Sequence, residues 1–135
     1  MKVVVVDGQG GRLGKLLVES IVQDNLACQL LVVGTNSIAT SAMLKGGATQ
    51  GATGENPLLV ACRDADVIVG PIGILSADSM LGEITPNMAM AVGQSRAKKL
   101  LLPVNLCSNI VVGVRTYNIN ELVSEALKQL RELCE

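Results

Sequence analysis

Gly8, Gly11 and Gly14 stand three residues apart, directly behind the valine run of residues 3–6. In that place glycines have a chemical use. One permits a sharp turn, a second lets backbone N–H groups approach an anion, and a third lets the following helix close on the strand. Bared amides and the positive end of the helix dipole would then favour a phosphate. Gly8, Gln9, Gly10, Gly11, Arg12, Leu13 and Gly14 are therefore candidate ligand-binding residues. The strict G-x-G-x-x-G spacing fails, because counting from Gly8 and Gly10 lands on Leu13. A Walker loop fails as well, with Gln9 at its first glycine and Leu16 where Ser or Thr should meet magnesium, which leaves Lys15 a surface lysine. The alternative use of such glycines is a tight strand-to-helix bend that binds nothing.

A dinucleotide site of this type usually adds a carboxylate after the second strand, to accept from the ribose hydroxyls. Here the corresponding residues are Gly34, Thr35, Asn36 and Ser37, with no acid among them. Neutral hydroxyl and amide groups would tolerate a 2′-phosphate, and the Arg12 guanidinium could grip it with paired bonds. The cofactor expected is accordingly NADP or NAD, with NADP ahead, and Thr35 and Asn36 join the candidate site. Asn36 and Ser37 have an equal alternative as a helix cap. Gly70 and Gly73, in the stretch GPIGIL behind a later strand, complete the candidates. The glycine-rich GATGEN stretch could form a second anion-binding nest or a plain turn before a capped helix.

Catalytic groups are scarce. The chain has no histidine, which removes imidazole base chemistry and any His-zinc site. Its one tyrosine, Tyr117, is followed four residues later by Glu121 instead of lysine. Ser76, Asp78, Glu83, Asn105 and Cys107 remain near strand exits, without a partner that spacing can assign. Asp78 reads as a loop or cap carboxylate, and Cys107 as a packed thiol. No metal site is expected, and no catalytic residue is assigned.

Positioning those residues requires strands and helices in alternation. Residues 2–6, 30–33, 66–69, 99–104 and, briefly, 110–112 read as strands, with another short one near Ala48. Helical periodicity runs from Gly11, over 37–45, over 57–63 behind Asn56 and Pro57, and over 86–92. Asn118 and Glu121 have the form of a capping box ahead of an amphipathic C-terminal helix. The fold class is α/β: a single three-layer, doubly wound, Rossmann-like domain over residues 1–135, with a mostly parallel sheet of five to six strands. In such a sheet every candidate above lies on one rim, beyond the carboxyl ends of the strands.

Composition limits the partners. Eleven basic and twelve acidic residues leave a net charge of −1, and only Lys98 and Lys99 are adjacent, so no footprint for nucleic acid or a membrane surface is present. With Tyr117 alone, base-stacking platforms are excluded. The longest uncharged stretch, residues 67–77, is too short and too broken by Gly and Pro to span a bilayer. Four well-separated cysteines point to reduced thiols and a cytoplasmic setting. A charged share of 17%, against a usual figure of about a quarter, points to a homo-oligomer, a dimer first. The partners expected are thus a small-molecule nucleotide and a second copy, and any oxidoreductase site would be completed across that dimer. The alternative is a non-catalytic sensing or assembly module.

The G-x-x-G-x-x-G turn resembles that of extended short-chain dehydrogenases, and with Arg12 also the G-x-x-G-R-x-G turn of dihydrodipicolinate reductases. More of the chain is covered by another resemblance. The blocks DGQGG, GTNSIATSAMLKGGA, GATGEN, GPIGI and SMLGEITP are similar to a family of short bacterial Rossmann-like proteins of unknown function. That resemblance reaches to about Pro103 and implies a fold and a setting, but no reaction.

Overall fold

The computed structural model describes residues 1–135 except Asn105, Cys107 and Thr116. Five strands form one parallel sheet: β1 (Lys2–Asp7), β2 (Gln29–Gly34), β3 (Gly51–Thr53), β4 (Val67–Pro71) and β5 (Lys98–Leu102). Their order across the sheet is β3-β2-β1-β4-β5. Between them run α1 (Arg12–Gln23), α2 (Ser37–Lys45), α3 (Glu55–Asp64) and α4 (Pro86–Gln94), and α5 (Ile119–Cys134) ends the chain. This is the doubly wound α/β fold expected, with its C-terminal helix in place.

β1 explains why the sheet is central. Its β-branched side chains alternate between two faces, and both are covered. Val3 and Val5 join Leu17, Val18, Ile21, Met43, Leu122 and Leu130 from α1, α2 and α5. Val4 and Val6 join Leu58, Cys62, Met88 and Val92 from α3 and α4. All four valines are fully buried, each contributing about 1.5–3 kcal/mol. α5 is also tied across to the end of α1, where Arg131 donates to both oxygens of Asp24 at 2.6 and 2.8 Å. No helix among the described residues is long and apolar enough to cross a membrane.

Several boundaries differ from the sequence reading. β3 lies at Gly51–Thr53, beyond Ala48, because Val32, Val33 and Gly34 of β2 pair there. α3 begins at Glu55, behind Gly54, so Asn56 lies inside the helix and does not cap it. Residues 110–112 form no strand: Val112 is 93% exposed and Ile110 88%, and no sheet edge recruits them. After β4 the chain makes a 3-10 turn, Ile72–Leu75, which the glycines of GPIGIL concealed.

Candidate functional site

The chain runs β1, β2, β3 outward in one direction, then returns to place β4 on the other side of β1. The carboxyl ends of β1 and β4 therefore flank the switch point, where a sheet of this kind leaves a crevice. Residues 8–11 form the turn from β1 to α1. Gln9 and Gly11 are left-handed, with φ of 52° and 73°, and Gly11 caps α1 without a side-chain bond. A side chain at Gly11 would be strained and would also meet Ala39 Cα at 2.7 Å.

Asp7 clamps this turn from beneath. One of its oxygens accepts from Gly8 N–H at 2.8 Å and the other from Gly14 N–H at 2.7 Å. Gly11 N–H donates to Gly8 O at 2.9 Å. Burial pushes the Asp7 carboxyl above its ordinary value; the two amide bonds pull against that, and the nearby Glu83 charge adds to the rise.

Glu83 arrives from the loop between the 3-10 turn and α4. A single oxygen, Oε1, accepts from Gln9 N–H at 2.9 Å, Thr35 Oγ1 at 2.6 Å and Asn36 Nδ2 at 2.8 Å. Burial works to raise its carboxyl, but the bonds from Thr35, Gln9 and Asn36 together hold it below the usual range. Gly8 must be glycine beneath this arrangement, since a Cβ there would lie 2.7 Å from Thr35 Oγ1 and 3.2 Å from Glu83 Oε1.

The loop is built to deliver that carboxylate. Asp78, Met80 and Leu81 take left-handed backbone, with φ of 66°, 56° and 56°. Asp78 N–H donates to Ile84 O at 2.7 Å, and Ser79 Oγ donates to Gly73 O. Thr85 caps α4 by accepting from Met88 N–H at 3.1 Å and donates its own hydroxyl to Glu55. Ile84 is fully buried, whereas Leu81 at the loop tip is 97% exposed.

The candidates thus separate. Gly8, Gln9, Thr35 and Asn36 gather around Glu83, and Asn36 also caps α2 by accepting from Ala39 N–H at 2.9 Å. Residues 8–13 line a cleft of about 350 Å³ at the switch point, with Asp7, Pro71, Met80, Val104 and Ile119. Gly14 lies underneath, against Met43 and Asp7. Gly70 and Gly73 stand apart from the cleft lining: a Cβ at Gly70 would meet Val6 O at 2.5 Å, and Gly73 faces Ser79. Asp78 is an exposed loop residue, as read. Asn105 and Cys107 lie outside the described residues. Glu55 lies on the rim only as the acceptor for Thr85, one use the GATGEN stretch does have.

The parts that Asp7 and Glu83 play at the turn are not legible in the sequence. Asp7 terminates β1 and was visible only as a strand-exit residue. Glu83 was visible in SMLGEITP, but nothing in spacing connects it to a turn 74 residues earlier.

A family model described as Domain of unknown function (DUF3842) matches residues 2–135. No curated protein matches the chain. Among solved structures, a dodecameric FMN-dependent UbiX-like decarboxylase from Escherichia coli O157:H7 is similar at 13% identity, with a TM-score of 0.49. The alignment covers 97% of this chain and 95% of that one. The expectation of NADP or NAD at this turn is corrected by the turn's own geometry. Gly8 and Gln9 N–H are already given to Asp7 and Glu83. The place after β2 that seemed free of acid holds the Glu83 carboxylate, which would repel a 2′-phosphate, and its Oε1 is already occupied by donors from Gln9, Thr35 and Asn36.

Proposed function

The chain belongs to the DUF3842 family, and from the geometry of its strand-exit rim we propose that it is a binding module for a small molecule bearing one phosphate-like group, held in the switch-point cleft. The observation that carries this reading is the position of Glu83. Its carboxylate divides the strand-exit rim, filling the β2 side and leaving the β4 side open. Among the described residues, the N–H groups of Gly10, Arg12 and Leu13 have no acceptor within the protein. They are the amides left for an anion at the start of α1, and Arg12 adds a charge beside them. Pro71, Met80 and Val104 supply an apolar wall for the rest of the ligand. A dinucleotide laid along the whole rim would have to displace Glu83, whereas a compact phosphorylated ligand would not.

Calorimetric titration with inorganic phosphate, AMP and FMN tests this. Saturable heat is expected with at least one of them, and its loss in Gly10→Val. Gly10 is the suitable position because a Cβ there meets nothing within 4 Å, so the variant should melt like the parent. Gly11→Val is unsuitable, since it would disturb the packing against α2 as well. No heat from any of the three probes overturns the proposal.

Self-association is a second part of the reading. Ile110 and Val112 project from the segment after β5 with almost their whole surface in solvent, which favours a partner surface supplied by another copy.

A further inference from the structure

Eleven basic residues look scattered along the chain, yet folding brings three of them to one groove. α1 and α2 start at the same rim and run side by side, leaving between them an open groove of about 520 Å³. Arg12 and Lys15 line it from α1, and Ser37, Ser41 and Lys45 from α2, with no carboxylate in the lining. Among the described residues, neither Arg12 nor Lys45 has a carboxylate within 4.0 Å. Lys15 reaches Glu19 only at 3.9 Å, a weak, exposed contact. Three like charges around one concavity repel one another, and a bound polyanion would remove that repulsion. The first N–H groups of α2, on Ser37 and Ile38, have no acceptor in the protein among the described residues, so their dipole end adds to the same field. Ile38, 68% exposed at the rim, offers an apolar shelf beside the charges.

We propose that the α1–α2 groove, lined by Arg12, Lys15, Lys45, Ser37 and Ser41, binds a pyrophosphate-class anion: two adjacent phosphates carried by a small molecule. Two phosphates suit the arrangement better than one, because the cations line the groove from both helices, Arg12 and Lys15 from α1 and Lys45 from α2. The groove shares Gly10 and Arg12 with the switch-point cleft but is otherwise separate, and it stands whether or not that cleft is filled.

The test is calorimetric titration of inorganic pyrophosphate, and in parallel inorganic phosphate, into wild-type protein, Lys15→Gln, Lys45→Gln and the double variant. Lys45 is exposed and Lys15 partly so, so the variants should keep the wild-type melting profile, checked by circular dichroism. The expected result is saturable pyrophosphate binding that weakens with salt and falls about tenfold for each lysine neutralised. Phosphate binding at the switch point should survive Lys45→Gln. Pyrophosphate binding that persists at full strength in the double variant, or no saturable binding to the wild type, overturns the proposal. If phosphate fails to bind while pyrophosphate binding remains lysine-dependent, the groove stands and the switch-point reading falls.

Discussion

Glu83 concentrates three donors on one oxygen, and the consequences are measurable at that residue. Its folded carboxyl is held below the ordinary range, so the stabilisation it brings is present above that range and fades as pH falls through the folded value. Glu83→Gln should therefore lose about 1–2 kcal/mol by urea unfolding at neutral pH, since a neutral acceptor binds the same donors less strongly. The difference between parent and variant should shrink on acidification; a difference independent of pH would mean the carboxylate charge is not engaged. Asp7 runs the other way. Its carboxyl is raised chiefly by burial, so its contribution is complete below the ordinary carboxylate range and declines as pH rises through the folded value. Beneath it, Gly14→Ala would set a Cβ 2.6 Å from Met43 Sδ and 2.9 Å from Asp7 Cβ. Overpacking of that kind costs about 1–3 kcal/mol, and a variant as stable as the parent in urea would show that α1 is not closely packed against Met43 and Asp7.

At the scale of elements, the caps were the most legible feature. Asn118 Oδ1 accepts from Glu121 N–H at 2.8 Å, the cap its spacing predicts, while the return bond to Glu121 Oε1, at 2.8 Å, comes from Asn118 Nδ2 instead of its backbone N–H. Asn118→Ala should cost about 1 kcal/mol of stability, read as a lower thermal midpoint, and no change would mean that α5 is held by its packing alone. Asn36 was equally visible as a cap, but the same side chain also donates to Gln9 O and to Glu83. Short, locally determined motifs of this sort are readable because both partners lie within one helical turn. The start of α3 was misplaced for the converse reason. Pro57 is expected at a helix's first position but is tolerated at the third, where the N–H it lacks would have had no intrahelical acceptor. The loop before α4 was opaque altogether, since its left-handed residues Asp78, Met80 and Leu81 are held by contacts to Ile84 and to the distant turn.

For the whole molecule, the exposed Ile110 and Val112 argue for contact between copies. Sedimentation velocity should give a dimer or larger species, and Ile110→Ser with Val112→Ser should shift it toward monomer. A wild-type monomer at high concentration would remove that reading. The sequence by itself determined the alternation of strands and helices, the central buried β1 and the rim on which polar residues collect. Those follow from periodicity and β-branching, which are local and repeat along the chain. It also marked the glycine turn as special. Only the tertiary structure decided what the turn faces. A carboxylate from residue 83 reaches amides and hydroxyls at residues 9, 35 and 36, and lysines from two helices meet in one groove. Contacts between residues this far apart depend on the strand order β3-β2-β1-β4-β5, and strand order leaves no periodic trace in a single sequence.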